Sequence, residues 1–274
     1  MWLRVRMGDK MLVVIRGAGD LASGIAVRLH HAGFCIVMLD IAHPTTVRRT
    51  VAFSEAIRLE SMTVEDVCAR LVGTPAEARA CVEQGSIAVL VDPIAACVSQ
   101  LQPHVLVDAI IAKRNLGTRI TDAPLVIGVG PGFTAGVDCH AVVETKRGHH
   151  LGRVFWEGSA APNTGVPGVI AGHSADRVLR APAAGVFEPV LSIGDEVHAG
   201  DVAAMVDGVP MRCTIDGVLR GLLAPGVEVT SGMKAGDIDP RDVRDHCWTV
   251  SDKARSIGGG VLEAILASAT RSTL

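Results

Sequence analysis

A glycine-rich turn near the start of the chain is the first feature that points to chemistry. Met11–Arg16 reads MLVVIR, and a GxGxxA motif begins directly after it. Glycines between a strand and a helix let the backbone approach a phosphate, which the helix N-terminal amides attract. A carboxylate 21 residues after Gly19 has the spacing that suits a ribose hydroxyl. The cofactor-binding candidates of this element are Gly17, Gly19, Asp20, Gly24 and Asp40.

Two charged residues complicate this interpretation. Asp20 places a negative charge at the start of the predicted helix, where it opposes a phosphate unless the carboxylate caps the helix. Arg16, at the end of the predicted strand, either binds a phosphate or pairs with Asp20. The motif therefore predicts an anion-binding turn and leaves the identity of the cofactor open.

A denser collection of ionisable residues lies in the middle of the chain. It includes a second glycine-rich loop, which lacks the lysine of a Walker A motif but can form an anion-binding nest. Histidine with a carboxylate suits acid–base catalysis, whereas lysine and arginine suit a phosphate or a developing anion. The alternative is a solvated turn with ion pairs. We predict one site with catalytic candidates Lys113, His140 and Glu144 and cofactor-binding candidates Arg114, Gly130, Gly132, Lys146 and Arg147.

Neither a metal centre nor a disulfide framework is expected. The spacings of His140, His149 and His150 match no zinc motif. The seven cysteines are scattered without a CxxC pair, and their number is odd. Cys139, inside the ionisable cluster, is interpreted as a small buried thiol rather than a nucleophile. This cysteine usage predicts a reducing compartment, and hence a cytoplasmic protein.

Alternating apolar runs and helical segments must position both clusters. Strands are predicted at Met11–Arg16, Phe34–Leu39, Ile87–Val91, Val105–Ile111 and Leu125–Val129, and helical apolar spacing occurs over residues 64–71 and 76–82. Such alternation predicts an α/β fold, with a Rossmann-like, mostly parallel sheet domain over residues 11–176. Ligands of these sheets bind at the carboxyl edge, where the two clusters would meet.

The last third of the chain has a different sequence pattern. Residues 177–240 hold two half-similar passes of short β segments and glycine turns, which resemble a small all-β barrel-sandwich hybrid of the biotinyl/lipoyl type. The hairpin that joins the halves, Val206–Arg212, has no lysine, so covalent biotin or lipoate is not expected. Residues 241–274 are predicted to end in a helix, Val261–Leu266, that packs back on the α/β domain. The preceding Gly258–Gly260 is either a flexible joint or an anion-binding helix start.

Composition and charge exclude several classes of protein. The chain has 274 residues, of which 49% are hydrophobic, and 26 basic against 29 acidic residues leave a net charge of −3. No basic excess marks a nucleic-acid surface. No unbroken apolar run approaches the roughly 18 residues of a membrane span. Met1–Lys10 lacks the apolar core of a signal peptide and is interpreted as a loose extension.

Many separate motifs carry a family resemblance that extends over residues 12–266. The chain resembles the selenium-dependent molybdenum hydroxylase accessory family, the YqeB-like proteins, and more distantly the Rossmann part of XdhC-type molybdenum cofactor insertion factors. The segments are IRGAGDLASG, LDIAHPTTVRRTVAFSEA, DAIIAKRN, GPGFTAG, ETKRGHHLGR, NTGVPG, LRAP, GDIDPR and SDKARSIGGGVLEAIL.

The resemblance implies an accessory factor that matures a selenium-dependent molybdenum hydroxylase and has that enzyme as its client. Such a factor would bind a nucleotide or a molybdopterin-type cofactor, a phosphate-bearing small molecule, at the sheet edge. Two alternatives stay open: an NAD(P)-dependent oxidoreductase with His140 or Lys113 as acid, and a non-catalytic adaptor with an empty Rossmann site. Whether the chain forms a homo-oligomer also stays open.

Overall fold

The computed structural model describes residues 11–271, so the predicted loose extension Met1–Lys10 lies outside the described residues. Within them the chain forms two compact units. The first comprises residues 11–42, 53–163 and 250–271, and the second comprises His43–Ala52 and Thr164–Thr249. The chain thus leaves the first unit twice and returns to it for its last helix. This division differs from the predicted domain boundaries, which lie at residues 176 and 240. None of the described helices is long and apolar enough to cross a membrane.

A nine-stranded mixed sheet forms the centre of the first unit. Its strands lie in the order β3-β4-β5-β2-β1-β6-β7-β8-β9. The strands are β1 (Leu12–Arg16), β2 (Cys35–Asp40), β3 (Ser61–Val64), β4 (Val67–Leu71), β5 (Ile87–Val91), β6 (Val105–Asp108), β7 (Leu125–Val129), β8 (Ala141–Val143) and β9 (Val154–Phe155). In this order, every pair of neighbouring strands between β4 and β8 is parallel. The two edge strands, β3 and β9, pair antiparallel with β4 and β8.

Helices lie in four of the eight connections between consecutive strands of this sheet. The helices of the unit are α1 (Asp20–His31), α2 (Ala56–Leu59), α3 (Pro75–Glu83), α4 (Val98–Leu101) and α5 (Asp252–Arg271). The segment over residues 64–71, predicted as a helix, is instead a hairpin strand, because Glu65 takes a left-handed φ of 55° in the turn after β3. The connections from β6 to β7 and from β7 to β8 contain no helix.

These features correct the expected fold class. A Rossmann-like domain, wound by helices on both faces of a mostly parallel sheet, is not what the chain forms. The sheet is mixed, since hairpin pairing adds an antiparallel strand at each edge, and long irregular loops replace crossover helices over its second half. Those loops carry most of the residues predicted to do chemistry.

Helices α1 and α5 pack closely because glycines face one another between them. A Cβ on Gly24 would lie 2.5 Å from the Cβ of Ala254, and one on Gly258 would lie 3.1 Å from the carbonyl oxygen of Gly24. A Cβ on Gly260 would lie 2.1 Å from the carbonyl oxygen of Gly152. The glycine triplet is therefore neither a joint nor a helix start. It lies inside a helix that begins at Asp252, where it permits close approach of backbone to backbone.

Two adjacent glycines of α5 should respond oppositely to alanine. Nothing lies within 4 Å of the position of a Cβ on Gly259, so Gly259→Ala is expected to stabilise the protein by up to about 1 kcal/mol through helix propensity. Gly260→Ala is expected to destabilise it by about 1–3 kcal/mol, since the methyl group collides with Gly152. Urea denaturation of both variants measures the difference. A flexible joint would give the two variants the same stability.

The second unit consists of two four-stranded antiparallel sheets, in the orders β10-β17-β15-β12 and β14-β13-β11-β16. This finding corrects the expected barrel-sandwich hybrid, since the eight strands form two separate sheets around a core that contains Phe187 and Leu219. The strands are β10 (Val178–Arg180), β11 (Gly185–Pro189), β12 (Glu196–Val197), β13 (Val202–Val206), β14 (Val209–Arg212), β15 (Gly217–Leu222), β16 (Glu228–Val229) and β17 (Lys234–Asp239).

Candidate anion-binding site

The first glycine turn is held tightly against the strand beside it. Gly17 has a φ of 97°, and a Cβ there would lie 2.9 Å from the carbonyl oxygen of Ala109. The turn leads to Gly19, the N-cap of α1, which has no side chain to satisfy the first amides of the helix. The carboxylate of Asp20 instead accepts a hydrogen bond of 2.9 Å from the Leu21 amide, so the acidic residue itself engages part of this helix start at the carboxyl edge of the sheet.

Asp40 fixes this turn. One carboxylate oxygen accepts a hydrogen bond of 2.8 Å from the Ala18 amide, and the other accepts one of 2.8 Å from the Ile41 amide. Burial raises the pKa of Asp40, and these two backbone bonds partly oppose that rise. Since both oxygens are bound to backbone, the expected contact with a ribose hydroxyl has no support in this geometry.

Three of the predicted segments meet at the second glycine loop. A Cβ on Gly132 would lie 2.6 Å from the backbone nitrogen of Arg114, and one on Gly130 would lie 2.8 Å from the hydroxyl of Thr145. Both glycines have positive φ, and so does Lys113, at 64°. The close approach shows that the segments around residues 114, 130–132 and 145 are in contact, as the positions of their strands in the sheet require.

Glu144 is an anchor for this region rather than an acid–base group. Its side chain is buried, and one carboxylate oxygen accepts hydrogen bonds of 2.7 Å from the amides of Thr145 and Lys146. The other oxygen accepts a hydrogen bond of 2.8 Å from the Ala161 amide. Three backbone donors thus engage the carboxylate, which positions the turn that carries Lys146.

His140 lies at the opposite end of its strand from the glycine loop. Its Nδ1 accepts a hydrogen bond of 2.9 Å from the Val126 amide, and its own amide donates to the Val126 carbonyl at 2.8 Å. Burial lowers the pKa of His140, and the bond to Val126 partly opposes this. His140 precedes β8, at the amino edge of the sheet, so the structure does not bring it to Lys113.

The structure adds one residue that the sequence analysis missed, Lys253. It lies half-buried in the first turn of α5, near enough to Asp20, Glu144 and Arg147 for their charges to act on it. Burial and the charge of Arg147 lower its pKa, while the carboxylates raise it. Ser251 caps the helix by accepting a bond of 3.2 Å from the Ala254 amide. A serine–aspartate pair before an apolar stretch was the available signal for a helix start here.

The remaining basic residues differ in how far they are engaged. Arg147 forms a bidentate ion pair with Asp252, at 2.7 and 3.0 Å. Lys113, Arg114 and Lys146 are exposed, and none of them forms a side-chain hydrogen bond or ion pair with another residue between positions 11 and 271. In the same part of the chain, no group of three histidine, cysteine or acidic side chains is arranged to hold a metal ion.

Comparison with known proteins yields one sequence relative and several weak structural neighbours. The chain is 54% identical to the uncharacterized protein YqeB of Escherichia coli K12 over 255 residues, which are 93% of this chain and 47% of that protein. It therefore spans about half the length of the curated relative that it matches. No family model matches the chain.

The structural neighbours have low identity and low TM-scores. An aspartoacylase family protein from Mesorhizobium loti is 12% identical, with a TM-score of 0.25 and 84% of each chain covered. A succinylglutamate desuccinylase/aspartoacylase from Rhodobacter sphaeroides is 16% identical, with a TM-score of 0.24 and coverage of 84% of this chain and 85% of that one.

These findings correct the function expected from the family resemblance. The relative in sequence is uncharacterized, no family model matches, and the structural neighbours, at TM-scores of 0.25 and 0.24, carry no argument about function. Nothing among them is named for selenium or for a molybdenum cofactor. We therefore withdraw the assignment as an accessory factor and infer a function from the side chains of the site alone.

Proposed function

We propose that this chain binds a phosphate-bearing small molecule at the carboxyl edge of the nine-stranded sheet. The observation that carries the proposal is Lys253, a half-buried residue that forms no hydrogen bond or ion pair among the described residues, although the charges of nearby carboxylates act on it. A partly desolvated ammonium without a bonded partner is unfavourable, and an anionic ligand would supply that partner. The carboxylates of Asp20 and Glu144 favour the charged form, the form that binds an anion.

The surroundings of Lys253 suit a phosphoryl group in particular. Further backbone amides lie at the start of α1 and in the glycine loop, where those of Leu21 and Gly130 already donate to the Asp20 carboxylate and the Val143 carbonyl. Lys113, Arg114 and Lys146 add unpaired cationic side chains on the loops that Gly130 and Gly132 touch. Phosphate oxygens accept from both kinds of donor, and their negative charge makes these hydrogen bonds stronger than those to a neutral acceptor.

The proposal includes a location in the cytoplasm. All seven cysteines are free thiols, and burial raises the pKa of Cys97 to about 12 and those of Cys139 and Cys213 to about 11. Such protonated, buried thiols are suited to a reducing compartment.

Lys253→Met is expected to weaken phosphate binding about ten- to a hundredfold. A hydrogen bond to a charged group contributes about 1.5–3 kcal/mol, and each 1.4 kcal/mol is a factor of ten in affinity. Titration calorimetry with inorganic phosphate, pyrophosphate and glucose 6-phosphate measures this effect. Lys234→Met is the matched control, since Lys234 is a half-exposed lysine of the second unit, and it should bind these ligands like the wild type.

The thermal stability of Lys253→Met separates a binding role from a structural one. Because the pKa of Lys253 is lowered on folding, the unfolded chain binds its proton more tightly, and at neutral pH the charge opposes folding. We therefore expect the melting temperature to stay level or rise while affinity falls. Unchanged affinity in Lys253→Met, or no binding of any of the three ligands by the wild type, contradicts the proposal.

A further inference from the structure

We propose a second ligand site in a cavity of about 950 Å³, on the face of the sheet opposite to helix α5. The cavity takes a small organic anion with an apolar body. The cavity lies between α4 and the loop that connects β6 to β7. Its lining includes Arg16, Ile94, Ala95, Ser99, Gln102 and Arg119.

The position of this cavity separates it from the candidate anion-binding site. Leu12 and Val14 alternate with Arg16 along β1, so all three side chains point to the same face of the sheet. Leu12 and Val14 belong to the core that contains Cys81 of α3 and Leu101 of α4. Helix α5 packs on the opposite face, through the close approach of Gly260 to Gly152 and the Val143 side chain.

Arg16 lines the cavity, but its guanidinium is already hydrogen-bonded within the protein. Its side chain is 6% exposed and pairs with Asp108 at 3.4 Å, and it also donates a hydrogen bond to the hydroxyl of Thr118. That hydroxyl in turn donates to Asp108 at 2.6 Å. Arg16 therefore pairs with Asp108 rather than with Asp20 or with a phosphate. A buried pair with this many bonds holds the Thr118 segment firmly to the sheet.

The loop that this pair holds presents Arg119 to the cavity. The side-chain oxygen of Asn115 accepts from the amides of Gly117 and Thr118, at 2.9 and 2.8 Å, and Asp122 accepts from the Arg119 amide at 2.8 Å. These bonds fix the backbone on both sides of Arg119. Its guanidinium, however, has no hydrogen-bond or ion-pair partner between residues 11 and 271. A carboxylate, phosphate or sulfonate would provide one, since a guanidinium binds such groups through paired N–H donors.

The opposite wall combines apolar exposure with backbone strain. Ile94 is 79% exposed at the cavity, and the carboxylate of Asp92 holds its turn by accepting from the amides of Ala96 and Cys97 at 3.0 and 2.8 Å. Ala95, before α4, has a left-handed φ of 58°, whereas the φ of 43° at Gln102 is that of the C-cap that ends the helix. Non-glycine residues keep such conformations where the surroundings impose them, often at ligand sites. The volume is in the range of sites for small organic molecules.

The test uses two fluorescent probes of similar size on the full chain. 1-Anilinonaphthalene-8-sulfonate carries an aromatic body and a sulfonate, whereas N-phenyl-1-naphthylamine has the same kind of body without charge. We expect the sulfonate to bind at one saturable site, and Arg119→Gln to weaken it about tenfold with little effect on the neutral probe. Ser99→Trp, at an exposed position, fills the cavity and should block both probes.

The control for a general loss of positive charge is Arg114→Gln, which removes an exposed arginine of the candidate anion-binding site. It should leave binding of the sulfonate probe unchanged, and Arg119→Gln should leave binding of inorganic phosphate unchanged. Failure of either proposal is thus visible without the other. The inference is overturned if the wild type shows no saturable binding of the sulfonate, or if Arg119→Gln and Ser99→Trp, folded by circular dichroism, bind it as the wild type does.

Discussion

Replacing Arg220 with methionine is expected to lower the free energy of unfolding by about 3–5 kcal/mol, because it leaves buried carboxylates without their main partner. Arg220 donates to Asp237 at 2.9 Å and to Asp239 at 3.2 Å, and both carboxylates are 1% exposed. Arg177 reaches Asp237 at 2.6 Å and Arg241 reaches Asp239 at 2.9 Å. Arg220 is thus the one of these three arginines that binds both carboxylates.

The same network predicts how stability depends on pH. Burial alone would raise the pKa of Asp237, but Lys234, Arg220 and Arg177 hold it below its usual range. Burial is likewise outweighed at Asp239, where bonds from Arg241 and the charge of Arg220 keep the pKa well below that range. A lowered pKa contributes stability that is present above the unfolded value of about 3.9 and is lost as the pH falls below it.

Urea denaturation at pH 7 and pH 3 measures both effects of Arg220→Met. At pH 7 the free energy of unfolding of the variant should lie furthest below that of the wild type. At pH 3 this difference should shrink, because the carboxylates of the unfolded chain are protonated there. Arg180→Met is the control, because Arg180 is exposed and its one side-chain hydrogen bond to the residues between 11 and 271 is to the Gly232 carbonyl. Its stability should stay within about 0.5 kcal/mol of the wild type. Equal losses in the two variants would show that the buried network is not the cause.

The second large effect is expected at Glu144. Glu144→Ala removes the acceptor of three backbone amides in a buried position, and leaving buried donors unsatisfied costs about 1–3 kcal/mol each. Because part of this cost is relieved by water at the exposed Lys146, we expect a net loss of about 2–4 kcal/mol. Glu144→Gln keeps one acceptor oxygen and should lose less.

The measurement for Glu144 combines stability with phosphate binding. Since the carboxylate holds the turn that carries Lys146, phosphate affinity should fall in Glu144→Ala even at a temperature where the variant is folded. Glu157→Ala removes an exposed carboxylate of the same unit and should leave both quantities unchanged. An acid–base role for Glu144 would instead leave stability nearly intact, so a stable Glu144→Ala variant argues against the anchoring role.

The strands and the two glycine loops could be predicted from the sequence because their signals are local. Apolar runs bounded by glycine and aspartate form β1, β2, β5, β6 and β7 close to the expected positions. The contact of Gly132 with Arg114 follows from the adjacency of β6 and β7 and was expected on that ground. The short hairpin at residues 61–71 was missed, because the apolar spacing there suits a helix as well as a strand. The true start of α5 was missed, because a glycine triplet usually ends a helix.

What the sequence by itself determined is which residue types follow each strand, and therefore which charges gather at the carboxyl edge of the sheet. Only the tertiary structure decided what each charge does there. Asp40 and Glu144 accept hydrogen bonds from backbone amides, and Arg16 pairs with Asp108. Lys253, more than a hundred residues further along the chain than Glu144, forms no hydrogen bond or ion pair among the described residues. The residue type of a carboxylate or an ammonium is the same whether it anchors a loop or binds a ligand. Which of the two roles it has depends on its burial and on the hydrogen-bond donors or acceptors around it. Distant segments of the chain supply these groups only after folding.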